Sequence, residues 1–289
     1  MSDSLRRFVF ENAPLRGELV QLGATWRAVL QRRDYPPVLQ NLLGELMAAA
    51  ALLSATIKFE GSLIMQMQGS GPVQLLVVEC TSQRTMRATA KWNGMPVGSR
   101  IAELLGNGHF VIAIVPDGGK QSYQGVVGLE GETVAQILEH YMALSEQLQT
   151  RLWLACNDEM SCGVLLQKLP EGTSPDTDAW TRMVTLGESI TRQELLTLPG
   201  VQLLHRLYHQ ERVRVFEPHP VAFRCSCSHD RVTAMLRLLG HAEICSIIAE
   251  RGSVEVNCDF CGRHYQFDRV DAAQVFAADV FTATNPTRH

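Results

Sequence analysis

Four of the eight cysteines stand in two tight pairs near the end of the sequence, where they could bind one metal ion together. Cys225 and Cys227 enclose one residue, and Cys258 and Cys261 enclose two, with residues 228–257 between the pairs. In an extended strand the side chains of residues i and i+2 point to the same side, so the first pair can present two thiolates to one point. Two such pairs supply the four sulfur ligands of a tetrahedral Zn²⁺ site. The sequence therefore predicts one zinc ion on these thiolates.

The second pair is predicted to lie at the tip of a β-hairpin. Residues 254–256 and 265–267 are strand-like on either side of it, and Gly262 follows the last cysteine. Because glycine reaches positive φ without strain, the chain can turn its backbone amides towards the sulfur atoms there. A thioredoxin-like dithiol is disfavoured, since its C-x-x-C should open a helix after a strand.

The other four cysteines are scattered, as unrelated buried cysteines would be. Cys245 is expected in the core, on a helix over residues 242–249. Cys80, Cys156 and Cys162 stand at strand ends or turns, and no chemistry is expected of them.

The paired cysteines could hold zinc permanently or act as redox-active dithiols. Nearby cations could offset the double negative charge of a four-thiolate zinc centre, and they would also keep the thiols deprotonated and open to oxidation. A solvated position on the surface is the alternative for each of them. These cations are Arg224, Arg231, Arg263, His229 and His264.

The size of the C-terminal tail decides what oxidation would do to it. A domain of about seventy residues has a core that rarely supplies more than ~3–5 kcal/mol. Structural zinc in small domains is worth on the order of 10–16 kcal/mol of coupled folding. Oxidation of the thiolates would expel the metal, and the tail from residue 221 should then unfold. The sequence has the parts of a redox switch whose output is unfolding.

The composition is that of an ordinary globular protein. Of the 289 residues, 46% are hydrophobic and 19% are charged, and the formal net charge of −4 gives no reason to expect nucleic acid or an anionic membrane as a partner. No apolar segment follows Arg6 and Arg7 as in a signal peptide. The longest apolar run, 46–57, is shorter than the ~18 residues that a membrane span needs. A soluble, cytosolic protein is expected, and in that reducing compartment paired cysteines favour metal binding or redox activity over structural disulfides.

Residues 1–171 are predicted to form an α+β domain of helices and antiparallel strands. The hydrophobic spacing changes between the helical period and a period of two without the regular succession of an α/β protein. The predicted helices cover residues 18–32, 38–57 and 133–148, and the second is apolar nearly all round and therefore buried. The predicted strands cover residues 6–10, 62–68, 73–79, 86–91, 109–115, 124–129, 151–155 and 162–168.

Residues 172–220 are predicted to be an amphipathic, helical linker. Thr191 and Glu194 form a capping box, and Pro199 ends that helix ahead of another over 201–208. The linker has no core of its own, so it must lie on another part of the protein. A short strand over residues 212–216 then leads into the small C-terminal four-cysteine zinc domain.

Two other classes of function, a nucleic-acid-binding module and an enzyme, fit the sequence less well than a metal switch. The C-terminal domain, 221–289, contains seven arginines, no lysine and eight acidic residues, so it lacks the basic balance of a nucleic-acid module. For an enzyme in the first domain, the sequence has no P-loop, no dinucleotide-binding G-x-G-x-x-G, no G-x-S-x-G and no H-E-x-x-H. No catalytic residue is predicted, and the protein is not expected to be an enzyme.

The two cysteine motifs and segments spread over nearly the whole chain carry a family resemblance. The motifs read Phe223-Arg224-Cys225-Ser226-Cys227-Ser228 and Cys258-Asp259-Phe260-Cys261-Gly262, and Tyr265-Gln266-Phe267 follows the second. The further segments are Asp34-Tyr35-Pro36 and residues 63–72, 123–129, 145–148 and 213–218. Together they resemble the bacterial redox-regulated heat-shock chaperones, the heat-shock protein thirty-three family.

The resemblance implies a cytoplasmic, ATP-independent chaperone, a holdase, that is inactive when it is reduced and zinc-bound. It implies that oxidative stress forms the disulfides Cys225–Cys227 and Cys258–Cys261, releases the single zinc ion and exposes a surface that keeps unfolding client proteins from aggregating. It also implies a homodimer in the oxidised state. Linker leucines are candidates for client binding, although burial against the first domain explains them equally well; they are Leu195, Leu196, Leu203 and Leu204.

Overall fold

The computed structural model of the chain divides into two units. The first unit contains two sheets and the helices packed on them. The structure describes residues 3–119, 121–170 and 176–282, with side chains as far as residue 276. The units are Met1–Arg224 and Cys225–His289. Helices are combined with antiparallel sheets, which confirms the predicted α+β class, and the paired cysteines lie in the second unit.

The first unit contains twelve strands and seven α-helices among its described residues. The strands are β1 Ser4–Phe10, β2 Leu15–Leu22, β3 Gly61–Gly69, β4 Val73–Thr81, β5 Thr85–Trp92, β6 Gly108–Pro116, β7 Tyr123–Gly128, β8 Thr150–Cys156, β9 Ser161–Lys168, β10 Val213–Val215, β11 His219–Pro220 and β12 Ala222–Phe223. The helices are α1 Ala24–Leu30, α2 Pro37–Thr56, α3 Ile101–Leu105, α4 Val134–Leu144, α5 Ala179–Glu188, α6 Arg192–Thr197 and α7 Gly200–Tyr208.

The strands form two six-stranded sheets. The first has the order β10-β1-β2-β9-β8, with β11 also paired to β1, and the second has the order β12-β5-β4-β3-β6-β7. Every pair is antiparallel except the two-residue pairing of β12 with β5, which is parallel. The predicted hairpin of β3 and β4 is confirmed, with Met65 opposite Val78.

Helix α2 lies in the core and contacts strands of both sheets. Its residues 48–51 are at most 1% exposed, which confirms the predicted burial all round. Gly44 makes a close approach possible, because a Cβ atom there would lie 2.0 Å from Sγ of Cys156. By length and composition α2 is also the one described helix that alone could cross a membrane, but 72% of its apolar window is buried inside the protein, as in a core helix.

The prediction of a single helix over residues 18–32 is wrong. Residues 15–22 are strand β2, and the helix α1 begins only at Ala24. β2 lies between β1 and β9 and is buried on both faces, so its apolar residues do not alternate with polar ones. A strand of that kind has the same hydrophobic spacing as a buried helix.

The linker helices α6 and α7 lie within the first unit and pack on its first sheet. The capping box of Thr191 and Glu194 is present as predicted. Leu195, Leu203 and Leu204 are buried in one cluster with residues of β1 and β2, namely Phe8, Phe10, Leu15 and Leu19. Helix α5, which the sequence did not predict, joins the same cluster. The predicted boundary at residues 171–172 lies outside the described residues.

The described part of the second unit contains three helices and a hairpin. Its elements are α8 His229–Leu239, α9 His241–Arg251, β13 Val254–Asn257, β14 His264–Phe267 and α10 Arg269–Thr282. The hairpin confirms the two predicted strands, with Val256 opposite Tyr265. Among the side chains described as far as residue 276, a core of nine buried residues is present: Val232, Leu236, Ile244, Ile248, Val254, Tyr265, Phe267, Ala272 and Val275.

Candidate metal centre

The hairpin β13–β14 fixes the second cysteine pair at its turn. The amide of Cys258 donates to the carbonyl oxygen of Arg263 at 2.9 Å, and the amide of Gly262 donates to the carbonyl oxygen of Cys258 at 2.8 Å. Gly262 has φ of +70°, the left-handed conformation that favours glycine. The turn therefore has the form that the sequence predicted for the hairpin tip.

The first cysteine pair lies in a segment, residues 224–228, that belongs to no strand. The amide of Arg224 still donates to the carbonyl oxygen of Met86 in β5 at 3.0 Å. The expected strand over Cys225 and Cys227 is wrong, because among the described residues no strand pairs with 225–228. Helix α8 begins directly after it, and the hydroxyl of Ser228 caps that helix by accepting from the amide of Arg231 at 3.2 Å. The helix cap holds the end of the segment in place of a sheet.

The four sulfur atoms come together in one cluster. The Sγ atoms of Cys225, Cys227, Cys258 and Cys261 all lie within 4.8 Å of one another, and each residue is half-buried. The distance between Cys225 and Cys258 is 3.6 Å, and that between Cys227 and Cys261 is 3.3 Å. Sulfur ligands at ~2.3 Å from a tetrahedral metal ion are separated by about 3.8 Å. The donor set and its spacing therefore fit a metal ion held by four thiolates.

Backbone amides in the turn favour ionised sulfur atoms. The amides of Phe260 and Cys261 favour the thiolate of Cys258, and the amide of Arg263 favours that of Cys261. Burial opposes them and is the larger effect, so the pKa of both thiols is raised. The pKa of Cys261 rises to about 12, and the other three thiols of the cluster add to that rise.

Cys227 differs from its neighbours. Burial raises the pKa of its thiol, but the Tyr265 hydroxyl and the other three thiols together outweigh burial and bring the pKa down to about 7. One thiolate therefore forms readily in the cluster, and further negative charge accumulates there only at a cost. A bound cation removes that cost, which is a second reason why the cluster fits a metal ion.

Tyr265 is a residue of the site that the sequence did not single out chemically. Its hydroxyl is buried and, among the described residues, meets no hydrogen-bond partner of ordinary geometry. Its nearness to Cys227 favours the thiolate of that residue. The segment Tyr265-Gln266-Phe267, with Tyr265 opposite Val256 in the hairpin, belongs to the family resemblance and is the sequence signal that could have indicated this role.

The five predicted cations differ in whether they interact with the cysteine cluster. The exposed guanidinium of Arg263 interacts most strongly with Tyr265 and less strongly with the thiols of Cys227 and Cys261. These interactions raise its pKa. Arg231 donates to the hydroxyl of Ser226, the residue between Cys225 and Cys227, at 2.6 Å. The others have different contacts: His229 packs against the ring of Phe267, His264 pairs with the side chain of Asn257, and Arg224 belongs to the first unit.

The four remaining cysteines lie outside the cluster. Cys80, Cys156 and Cys162 are buried in the first unit, and burial raises the pKa of each thiol, that of Cys80 to about 11 and that of Cys162 to about 12. Cys245 is exposed, so its predicted place in the core is wrong. It lies on α9 as predicted, but Ile244 and Ile248 are the residues that this helix buries.

Hydrogen bonds as well as apolar contacts attach the linker to the first sheet. The buried side chain of Gln21 donates from Nε2 to the carbonyl oxygen of Leu198 at 2.9 Å and accepts from the amide of Gly200 at 3.1 Å. The ring of Tyr208 packs edge-on against that of Phe10, with their centroids 5.1 Å apart. Leu196 is half-buried, so all four leucines proposed to bind clients are at least partly covered in this conformation.

The chain has an α+β unit followed by a small unit built around four clustered cysteines. These two features define a class of protein with a candidate metal centre in its C-terminal unit. A model of the Hsp33 protein family matches residues 3–268. The relatives include proteins named 33 kDa chaperonin from Nitrosococcus oceani, 50% identical over 99% of both chains, and from Methylobacillus flagellatus, 47% identical over 100% of this chain and 99% of the relative. The chain belongs to the Hsp33 family, and the names of its relatives support a chaperone role.

A solved structure shows the same fold. The 33 kDa chaperonin of Thermotoga maritima, a heat-shock protein 33 homologue, superposes with a TM-score of 0.83 and covers 96% of this chain and 99% of its own. Its sequence identity is 18%, so the likeness concerns the fold. The arrangement of two sheets, linker helices and a small C-terminal unit is that of the family.

Proposed function

We propose that this chain is a redox-regulated, ATP-independent holdase that is held inactive by one Zn²⁺ ion in its reduced state. The single observation that carries this is the cluster of four sulfur atoms within 4.8 Å of one another, formed by Cys225, Cys227, Cys258 and Cys261. Zn²⁺ is the ion that four thiolates in a tetrahedral arrangement favour. When bound, zinc supplies a fixed link between two distant parts of the chain.

Oxidation removes the donors of that link. We propose the disulfides Cys225–Cys227 and Cys258–Cys261. For each of them two thiolates give two electrons to hydrogen peroxide, the S–S bond forms, and the O–O bond breaks. The two oxygen atoms leave as water after taking up two protons. Two peroxide molecules therefore convert all four cysteines, and disulfide sulfur no longer offers the thiolates that hold the ion.

The second unit depends on the link because its core is small. Nine buried residues form that core as far as the side chains are described, and a core in a domain of about seventy residues rarely supplies more than ~3–5 kcal/mol. Coupling of folding to structural zinc is worth on the order of 10–16 kcal/mol in small domains. Each new disulfide closes a very short loop and so restores little of the lost constraint. The expected result of oxidation is that the second unit unfolds.

The linker provides the surface for clients in this proposal. It is followed along the chain by β12 and Cys225, and its last strands, β10 and β11, pair with β1. In this proposal these short pairings open once the second unit has unfolded. Leu195, Leu203 and Leu204 are buried against the first sheet, and each is available to a client only after α6 and α7 leave that sheet. A fully buried leucine is worth about 1.5–3 kcal/mol, so the same side chains that hold the linker down can bind unfolding proteins.

The remaining parts of the proposal concern the setting of the protein. We place it in the cytoplasm, where thiols stay reduced until oxidants accumulate, and expect a homodimer after oxidation. The net charge of −4 supports neither a nucleic-acid nor a membrane partner. Unfolding client proteins are the expected partners.

Suppression of client aggregation tests this function. Light scattering of a chemically denatured client, diluted without nucleotide, should rise unchanged with the reduced, zinc-loaded protein and should be suppressed after peroxide treatment. Equal suppression by both forms would exclude redox control, and suppression by neither would exclude the holdase.

A further inference from the structure

A cavity of about 300 Å³ in the first unit is lined mainly by basic and hydroxyl-bearing residues. It lies between the strands β1 and β2, the C-terminal end of α2, the turn from β4 to β5, and β11. Its polar lining includes Arg7, Glu18, Lys58, Ser82, Arg84 and His219. None of these residues belongs to the cysteine centre or to the linker leucines, so the proposed holdase activity makes no use of the cavity.

The charge of the lining is strongly positive. Arg7, Lys58 and Arg84 form no ion pair within 4.0 Å among the described residues. The one acidic residue in the lining, Glu18, is only 2% exposed. Burial raises the pKa of its carboxyl to about 8, against the opposing effect of Arg7 and Arg16. At neutral pH this carboxyl is therefore largely protonated and leaves the positive charge of the cavity uncancelled.

The side chain of Arg84 has a buried donor without a partner in the described part of the chain. Its Nε atom is buried and has no hydrogen-bond partner among the described residues. Its φ of +60° has a different cause, because Arg84 is the third residue of the three-residue loop between β4 and β5, a position that is ordinarily left-handed. A buried guanidinium nitrogen without a partner is what an absent anion would explain.

We propose that this cavity binds a small phosphate-bearing molecule, with Arg84 and Lys58 as the principal ligands and Arg7 contributing charge at the mouth. The planar guanidinium matches two oxygen atoms of a phosphate group, and the ammonium group adds a point charge. The hydroxyl of Ser82, which accepts from the amide of Gly61 at 3.4 Å, supplies a neutral donor. The size of the cavity suits inorganic phosphate or a small phosphate ester.

The position of His219 gives such a ligand a structural consequence. His219 lies in β11, which pairs with β1 through Leu5, and the chain reaches Cys225 six residues later. A phosphate group in the cavity would contact the end of α2, the turn from β4 to β5 and β11 at once. It would therefore stabilise the last part of the first unit before the cysteine motif. This inference does not depend on the proposed redox switch.

Isothermal titration of the full, zinc-loaded chain with inorganic phosphate at constant ionic strength tests the site. We expect saturable binding with one site per chain. Lys58→Met and Arg84→Gln should each weaken it at least about tenfold, the loss of one charge-assisted hydrogen bond. Lys168→Met is the matched control, because Lys168 is an exposed lysine in the same unit that does not line the cavity.

Thermal unfolding separates specific binding from the general stabilisation that phosphate gives to proteins as an excluded salt. Melting without phosphate shows whether each variant is folded, and Lys58→Met, a change at an exposed residue, keeps the test valid if Arg84→Gln does not fold. Absence of saturable heat, or equal binding by the wild type, Lys58→Met and Lys168→Met, would overturn the site. Succinate binding as tightly as phosphate would overturn the phosphate assignment.

Discussion

The Sγ atom of Cys227 lies 3.3 Å from that of Cys261, a cysteine of the other motif. Cys225 and Cys258 form the second close pair, also across the motifs, at 3.6 Å. The proposed disulfides instead join cysteines within each motif. Since all four atoms lie within 4.8 Å of one another, only local movement is needed to form an S–S bond of ~2.05 Å. The cluster ties the two motifs together, and the disulfides would remove that tie.

Loss of a single thiolate should therefore disable the centre. We expect Cys258→Ser to lower the metal content from one ion per chain and to remove the response of holdase activity to peroxide, because three sulfur donors do not complete the tetrahedron. Metal analysis and light scattering check this.

Cys245→Ser is the matched control, since Cys245 is an exposed cysteine of the same unit outside the cluster. It should keep both metal and response. If Cys258→Ser stayed zinc-bound and still gained activity only on oxidation, the assignment of the switch would be wrong.

Removal of the metal from reduced protein should unfold the second unit and leave the first folded. The small core described for this unit cannot offset the loss of about 10–16 kcal/mol of coupled folding. Amide hydrogen exchange after treatment with a chelator should show lost protection in α8 and α9 and retained protection in β3 and β4. Unchanged protection in α8 and α9 would mean that the cysteine cluster is not what holds this unit together.

Weakening the linker should lower the oxidant dose that the switch needs. Leu203 is 0% exposed in the cluster that holds α7 on the first sheet. Leu203→Ala should cost ~2–5 kcal/mol of packing, so less peroxide should give half-maximal suppression of aggregation. Val201→Ala, on the same helix at a residue that is 51% exposed, should leave the dose unchanged. A Leu203→Ala variant with the dose of the wild type would contradict the role of the linker.

The raised pKa of Glu18 predicts a pH dependence of stability. Its carboxyl titrates at about 8 in the fold, against an ordinary value of 4.5. The protonated form suits the fold, so its contribution is complete below pH 4.5 and is lost as the pH rises to about 8, at ~1.4 kcal/mol per unit. Glu18→Gln, which imitates the protonated form, should therefore gain stability over the wild type as the pH rises.

Urea unfolding in phosphate-free buffer at pH 5.5 and 8.5 measures that gain, and Glu217→Gln, at an exposed glutamate, is the control. We expect a larger advantage of Glu18→Gln at pH 8.5. An equal or smaller advantage there would show that Glu18 is ionised in the fold.

The sequence predicted those elements whose hydrophobic pattern has a single interpretation. Helix α2, buried all round, and the hairpin β3–β4 are found where the spacing placed them. β2 was predicted as helix, because burial of both faces removes the alternation that identifies a strand. Helix α3 has only five residues, and α5 packs on β8 and α7, so tertiary contacts rather than local pattern determine them. Helix α8, which packs on its neighbour α9 and on α10, was also not predicted.

At the site, the spacing of the cysteines was sufficient to bring the four sulfur atoms together. The isoleucines of α9, Ile244, Ile247 and Ile248, stand at i, i+3 and i+4 and share one buried face, from which Cys245 is turned away. The spacing therefore held the information that the prediction of a buried Cys245 did not use. The attachment of the linker through Gln21 was not predictable, because the partners of this polar side chain, Leu198 and Gly200, are far along the chain. Contacts of that kind follow from the fold and have no local sequence signal.

Titration of the reduced, zinc-loaded protein with peroxide, following zinc release, free thiols and suppression of client aggregation in the same samples, tests the central claim most directly. We expect four thiols to be lost per chain, one zinc ion to be released, and holdase activity to rise in parallel, with Cys225, Cys227, Cys258 and Cys261 as the oxidised residues. Full holdase activity while zinc stays bound and these thiols stay free would contradict the account.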